Sequence, residues 1–385
     1  MLPFRNIKRN LYKALQQPLY AVRVFYRRLL SYIKYKSHGG RSFPPEAITL
    51  FLTYRCNLEC KMCGQWGESG VTKKDLNKTR KELSLEAWKK IVEDIAEFRP
   101  NITLFGGEPL IYKDVIELIE YIKLKKLHCI IITNGTMLEK YGKELVEVGV
   151  DEINLSIDGD EKLHDYIRGV PGLFSKISRG VELVNRYKKK KPLLNLQCTI
   201  TPYNYLYLDR LVDVGKSFNA DSLTFHHYIF ITEELYSRQE KVTTELLKVT
   251  SFDWSGFIRN VCNLGIDGEV LCKVISRVRR LSRNNKFFVN FYPNFDEKEI
   301  IEYYSSLHFI SRTYPQRCLS PWIVGYIFPD GELRPCLNIN YSFGNVCNQK
   351  FKEVWNNEKA VFFRRVLRKM RFFPACVRCT ELYRY

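Results

Sequence analysis

The sequence predicts an α/β protein built on a partial (β/α)6 barrel, with a basic helical arm in front and a small cysteine-rich domain behind. Three observations carry that reading. Between residues 46 and 230, short β-rich runs alternate six times with segments of helical periodicity. Ahead of them, apolar residues recur at helical spacing among cations with no acid before Glu46. From residue 317 the regular pattern gives way to closely spaced cysteines. Alternating β and α segments imply parallel strands joined by right-handed crossovers. Six strands fall short of the eight that close a TIM-like barrel, so the predicted barrel is laterally open.

The arm, residues 1–45, carries Arg5, Lys8, Arg9, Lys13, Arg23, Arg27, Arg28, Lys34, Lys36 and Arg41, more than half of the chain's formal charge of +19. Phe4, Ile7, Leu11, Leu15, Leu19, Val22, Phe25, Leu29 and Ile33 fall close to helical spacing. Pro18 starts a second helix or kinks a single one. Two readings of this stripe stay open: it lies in the headgroup region of an anionic membrane, or it packs on the barrel. No nucleic-acid recognition motif accompanies the charge, so nucleic acid is not an expected partner.

In the barrel, residues 46–230, "AITLFLTY" (47–54) reads as a buried strand. Residues 84–98 follow as a helix with Trp88, Ile91, Val92, Ile95 and Phe98 on one face. Strands at 101–105, 129–133, 152–157, 193–201 and 221–227 alternate with helices at 113–125, 138–148, 174–189 and 206–218. Residues 231–316 lose the rhythm and read as a helical, basic bridge with little visible chemistry. The tail, residues 317–385, is too irregular to fold without a staple, and a metal supplies one.

Size and composition set further bounds. A chain of 385 residues with 45% hydrophobic content can bury a sizeable core. No apolar stretch is long enough to span a bilayer, and no secretory signal is recognisable. Twelve cysteines in an unexported chain then read as metal ligands and buried thiols instead of a disulfide framework. The expected location is cytoplasmic, with peripheral attachment to the inner membrane face following from the first reading of the arm.

The chemistry sits at strand ends. "YRCNLECKMCGQW" (54–66) follows the first strand and holds Cys56, Cys60 and Cys63. "GGEP" (106–109) follows the second, "TNG" (133–135) the third, and "SIDG" (156–159) overlaps the end of the fourth. Parallel strands bring these loops to one rim, where barrel enzymes place their active sites. A cubane cluster has four irons, each taking one thiolate. Three cysteines on one loop would then leave the fourth iron open to an exogenous ligand, as a catalytic metal requires; a zinc site or three unrelated thiols is the plainer alternative.

Cys-x3-Cys-x2-Cys after the first strand, with "GGEP" after the second, resembles the radical S-adenosylmethionine (SAM) superfamily. The run "LSIDGDEKLHDYIRGVPGLF" (155–174) looks like the branch with a C-terminal SPASM or twitch extension. The resemblance implies that Cys56, Cys60 and Cys63 hold a [4Fe–4S] cluster whose open iron binds SAM. Reductive cleavage of SAM would then give a 5′-deoxyadenosyl radical that abstracts hydrogen from a substrate. Gly106 and Gly107 would admit the SAM amino group, Glu108, followed by Pro109, would offer it a carboxylate, and Met62 would lie against adenine. Many relatives carry an aromatic there, so this contact is softer. Asn134, Ser156 and Asp158 would bond ribose hydroxyls, and Arg168 would meet the SAM carboxylate. In the tail, Cys318, Cys336, Cys376 and Cys379 resemble the twitch set that clamps one auxiliary [4Fe–4S] cluster. The full SPASM pattern has seven cysteines and this tail has five, leaving Cys347 without an assigned role. A zinc ribbon on the same four cysteines is the structural alternative.

Of the other candidates, His226 and His227 end the sixth strand, and only one of the two can face the lumen. Cys129 and Cys198 read as buried apolar residues, while Cys262 and Cys272 show no ligand spacing. The expected activity is hydrogen abstraction from a small-molecule or lipid-linked substrate, an oxidoreductase-type reaction whose oxidation step the auxiliary cluster assists. Flavodoxin or ferredoxin would serve as external electron donor. A peptide maturase is one alternative. A non-catalytic iron–sulfur electron carrier is another, although a carrier has no use for a SAM pocket.

Overall fold

The computed structural model describes the chain except residues 1–6, 8–10, 12, 13, 16, 284 and 286. Seven strands follow one another in sequence and in space: β1 (Ala47–Phe51), β2 (Asn101–Phe105), β3 (Cys129–Thr133), β4 (Glu152–Ser156), β5 (Leu193–Thr199), β6 (Ser222–His226) and β7 (Phe288–Tyr292). Every neighbouring pair among them is parallel. β8 (Val324–Ile327) joins the free edge of β1, also parallel, and β9 (Glu332–Arg334) and β10 (Gly344–Asn345) extend that edge antiparallel. The sheet thus exceeds the six expected strands at both edges. The stretch read as a helical bridge supplies β7, whose aromatics hid its alternation, and the cysteine-bearing tail supplies β8.

Strands in simple sequential order with right-handed crossovers put every crossover helix on one face. On that face the row Leu50, Leu104, Ile131, Ile153, Leu194 runs across five strands in register, each residue fully buried. Burying each contributes about 1.5–3 kcal/mol. The helix expected over 84–98 forms as Leu85–Ala96, capped by Ser84, whose side chain accepts from the Ala87 N–H, and it buries Trp88, Ile91, Val92 and Ile95. The opposite face is apolar at Phe51, Phe105 and Ile132 on β1–β3 and polar over β4–β6. Ser156, Gln197 and Thr224 lie in one register row, and Thr199, His226 and Tyr292 in the next. His226 faces this side and bonds Gln197 at 2.6 Å. His227 points the other way, fully buried against Phe295, Tyr303 and Tyr304. Cys129 and Cys198 are fully buried on the helix side, as their sequence context suggests.

The arm crosses the end of the barrel where the strands begin. Pro18 is the first residue of the helix Pro18–Lys36. Arg28 pairs with Glu46 just ahead of β1 at 2.6 Å, and Arg27 donates to the Phe98 carbonyl ahead of β2. Tyr35 packs edge-on against Trp322. Gln17 bonds Glu152, the first residue of β4, and His128, just ahead of β3. The helix therefore meets the protein with cations, Ser31 and Tyr35, because the barrel floor offers a carboxylate, carbonyls and an indole. The reading in which the oily stripe packs on the barrel is overturned: Val22, Phe25, Leu29 and Ile33 are 71%, 60%, 47% and 51% exposed. Phe4, Arg5, Lys8, Arg9 and Lys13 lie outside the described residues. Among the described residues no helix is long and apolar enough to cross a membrane.

Candidate active site

Strand β1 ends at Phe51, and Leu52 bonds the Phe105 carbonyl as the two chains leave the sheet together. The loop that follows β1 is laid directly on the loop that follows β2. Gly107 donates to the Thr53 carbonyl at 2.8 Å and Glu108 to the Arg55 carbonyl at 2.9 Å. A Cβ on Gly106 would stand 2.5 Å from the Thr53 oxygen, and one on Gly107 would stand 2.1 Å from the Arg55 oxygen. The two glycines thus have an immediate structural reason: they let the cysteine loop bond to "GGEP" backbone to backbone.

Glu108 is fully buried, and three donors engage its carboxylate: the Thr133 hydroxyl at 2.7 Å, the Asn134 N–H at 2.7 Å and the Leu110 N–H at 3.0 Å. Burial outweighs those donors and raises its pKa to about 7. Its visible task is to tie the β2 and β3 loops together, with Pro109 opening the short turn Pro109–Ile111 behind it. Asn134 extends the chain of contacts. Its amide donates to Asn57 at 3.0 Å and, more distantly, to the Cys56 sulfur at 3.9 Å, while its oxygen accepts from Thr136.

The β4 loop reaches the cysteines through a buried ion pair. Asp158 is completely inaccessible and accepts from Arg168 at 2.8 Å and from the Thr199 N–H at 2.9 Å. Arg168 ends the helix Glu161–Arg168, where Gly169 at φ +76° supplies the left-handed cap. Its guanidinium then donates to the Cys60 sulfur at 3.6 Å. Asp158 and Arg168, expected to bind different parts of one ligand, are partners of each other.

Each cysteine of the triplet therefore has an N–H donor. Cys56 has Asn134, Cys60 has Arg168, and Cys63 has the backbone amides of Gln65 and Trp66, both at 3.4 Å. N–H donors directed at sulfur favour thiolate, the form that ligates metal. Burial alone acts the other way, raising Cys56 to about 12 and Cys60 above its usual value. A cationic cluster core offsets that desolvation, so the donor set fits an iron–sulfur cluster. Met62 lies beside the triplet, half-buried against the core. Ser156 stands half-buried on the polar face of β4.

The stretch read as a bridge also contributes here. Phe252–Phe257 forms a short helix over the cysteine loop. A Cβ on Gly64 would strike the Phe257 ring at 2.6 Å, and Arg259 donates to Ser69 and to the Gly256 carbonyl. Asn57, Thr136 and Arg259 escaped the sequence reading. Asn57 sits inside the quoted cysteine stretch, but its partners Asn134 and Thr136 are brought to it only by the adjacency of β-strand ends.

In the tail, Cys318, Cys336, Cys376 and Cys379 come together. Each of the other three would electrostatically disfavour ionisation of Cys318, and burial raises Cys336 to about 11 and Cys376 to about 12. Among the described residues no three His, Cys, Asp or Glu side chains are gathered tightly enough to share one ion. A cubane asks for less convergence, since each thiolate takes a different iron. The terminal pair is anchored by Arg378, buried between Phe230 and Tyr303 at 4.3 and 4.4 Å and donating to the Tyr303 and Ser306 carbonyls. Cys347 stays outside this group, exposed just after β10 and beside Asp330 of the β8–β9 turn.

Both cysteine-bearing segments match known families. Residues 50–212 match the model of the radical SAM superfamily, and residues 318–380 match that of SPASM, an iron–sulfur cluster-binding domain. The chain is 27% identical over 317 residues to the Fe-coproporphyrin III synthase of Methanosarcina barkeri, covering 80% of this chain and 72% of that one. It is 31% identical over 180 residues to the PqqA peptide cyclase of Granulibacter bethesdensis, covering 46% of each. In fold it is similar to Streptococcus suis SuiB bound to S-adenosylmethionine, with a TM-score of 0.56 at 19% identity, covering 85% of this chain and 68% of that one.

Proposed function

We propose, from a chain that belongs to the radical SAM superfamily and carries a C-terminal SPASM domain, an enzyme that oxidises a small organic substrate held against the polar face of its sheet. Its cofactors are a [4Fe–4S] cluster, SAM and auxiliary iron–sulfur chemistry in the tail. When bound, the cluster and SAM together supply a radical able to take a hydrogen atom from carbon. The carrying observation is the triplet Cys56, Cys60 and Cys63, with a donor on each sulfur and no fourth cysteine in the loop.

In this reading Cys56, Cys60 and Cys63 hold the cluster. Arg168, oriented by Asp158, fixes Cys60 and turns positive charge toward the site, where a carboxylate is attracted. Glu108 and Asn134 hold the β2 and β3 loops in one arrangement, so the rim is ordered before a ligand arrives. Ser156, Gln197, Thr199, Thr224 and His226 present neutral donors and acceptors along the polar face. Such a wall suits hydroxyls and carbonyls and disfavours an isolated charge. Cys318, Cys336, Cys376 and Cys379 hold one auxiliary cluster, a store for the electron left when the substrate also loses a proton. Flavodoxin or ferredoxin supplies the starting electron.

A peptide substrate is the second reading, favoured by similarity to a peptide cyclase over 46% of this chain. It is the weaker of the two because that similarity spans less than half of either chain. The test is anaerobic incubation of reduced protein with SAM. Formation of 5′-deoxyadenosine, abolished in Cys60→Ala, supports the enzyme. Intact SAM under every reductant tried supports a non-catalytic carrier.

A further inference from the structure

The helix Pro18–Lys36 is mounted inside out. A surface helix of a globular protein turns its apolar stripe to the core and its charges to water. Here Arg27, Arg28, Ser31 and Tyr35 face the protein, as the bonds to Phe98, Glu46 and Trp322 require. Val22, Phe25, Tyr26, Leu29 and Ile33 face outward, all at least 47% exposed. At 100° per residue these five positions fall within about 100° of one another around the helix axis, one continuous stripe. Leu11 and Leu15, 58% and 83% exposed, continue the same spacing before Pro18. Isolated exposed apolar residues are unremarkable, but a stripe of this length marks a covered surface.

Charge identifies the cover. No acid occurs in the first 45 residues, which carry ten cations. Arg27 and Arg28 are used inside the protein, but Arg23 flanks the stripe and Lys36 closes it, both exposed. An apolar stripe bordered by arginine and lysine matches the boundary between headgroups and acyl chains of an anionic bilayer. A second copy of the same helix would bring like charges together.

We propose that the helix Pro18–Lys36 seats the protein on an anionic lipid surface with the cysteine-bearing rim facing away from the bilayer. The orientation follows from the fold. The helix touches residues at the starts of β1 and β2, and Gln17 just ahead of it touches those at the starts of β3 and β4, whereas the cysteine loop leaves the opposite end of β1. A five-residue strand puts roughly 17 Å between the two levels. A lipid-linked substrate anchored in the same bilayer would not reach the rim, so the substrate arrives from the aqueous side. Docking does not depend on the chemistry proposed above.

The test is sedimentation of the full-length protein with vesicles of equal parts phosphatidylglycerol and phosphatidylcholine, at low salt, against pure phosphatidylcholine. We expect binding to the anionic vesicles only. Phe25→Ser with Leu29→Ser should weaken it on the order of tenfold or more, and Arg23→Gln roughly fivefold. These side chains are exposed, so the thermal midpoint of each variant should stay at the parent value. Vesicles should slow amide exchange over residues 18–36 and leave residues 54–66 unchanged. No binding to anionic vesicles, or binding indifferent to the stripe, overturns the proposal. So does a dimer that the double variant turns into monomer, which makes a second copy the cover. Slowed exchange at 54–66 overturns the orientation.

Discussion

Gly107→Ala puts the packing of the two rim loops to a direct test. The new Cβ would lie 2.1 Å from the Arg55 oxygen and 2.7 Å from the Tyr54 oxygen, both backbone atoms. The first distance is about 1.3 Å short of ordinary van der Waals contact, and no side-chain rotation relieves it. The loops must part, breaking the bonds from Gly107 to Thr53 and from Glu108 to Arg55. Two hydrogen bonds at about 1 kcal/mol each, with overpacking of at least about 1 kcal/mol, give about 3 kcal/mol. For a chain of this length that lowers the thermal midpoint by about 4 °C if unfolding is cooperative. The effect on catalysis should be larger, because a shift of about 1 Å at a reacting centre costs about a hundredfold in rate. The assay is anaerobic 5′-deoxyadenosine formation at saturating SAM, alongside calorimetry. Gly39→Ala is the control, since nothing lies within 4 Å of its added Cβ. Gly107→Ala with the parent's midpoint and rate would refute the claim that backbone contact between these loops builds the site.

Further outcomes follow from other contacts. Asp158→Asn leaves Arg168 buried without its counter-charge and should cost about 3 kcal/mol or more in urea unfolding; a loss under 1 kcal/mol would show that the pair is not built as described. Reconstituted protein should bind about eight irons, about half surviving in the Cys56/Cys60/Cys63 triple alanine variant and all surviving in Cys347→Ala, as measured by colorimetric iron assay. Arg378→Met should release the Cys376–Cys379 loop and lower bound iron toward four, while Cys56, Cys60 and Cys63 keep theirs; unchanged iron would deny Arg378 its anchoring role. His227 is held near pKa 3 by burial against an unfolded value near 6.5. Its stabilising contribution is therefore complete above pH 6.5 and declines as pH falls toward 3, by about 1.4 kcal/mol at pH 5.5. His227→Phe should flatten that part of the stability–pH curve, and an unchanged slope would count against the burial.

What the sequence made legible was local. The six strands of the barrel, the helix starting at Pro18 and the cysteine sets all rest on short-range signals, such as the short apolar run around Leu50 or the spacing of Cys56, Cys60 and Cys63. What it hid was pairing across the sheet. β7 and β8 join opposite edges of one sheet from segments that looked like bridge and tail, because register with β6 and β1 leaves no local trace. The roles of Asp158 and Arg168 were expected separately, toward a ligand, and their mutual ion pair depends on the turn at Gly169. Periodicity found the apolar stripe of the arm but could not say which way it faces. That was decided by Glu46 and Trp322, which take Arg28 and Tyr35 and so turn the stripe outward.

The central claim is a cluster with three protein thiolates and one iron left for SAM. Electron paramagnetic resonance of the dithionite-reduced protein, recorded before and after adding SAM, tests it most directly. A variant with Cys318, Cys336, Cys376 and Cys379 replaced by alanine isolates the signal if it folds, and subtraction of the Cys56/Cys60/Cys63 triple alanine spectrum serves if it does not. The spectrum should shift on SAM addition when the triplet is intact and stay fixed in the triple alanine protein. A cluster signal from the intact triplet that ignores SAM would mean that its fourth iron is already bound by the protein, contradicting the account.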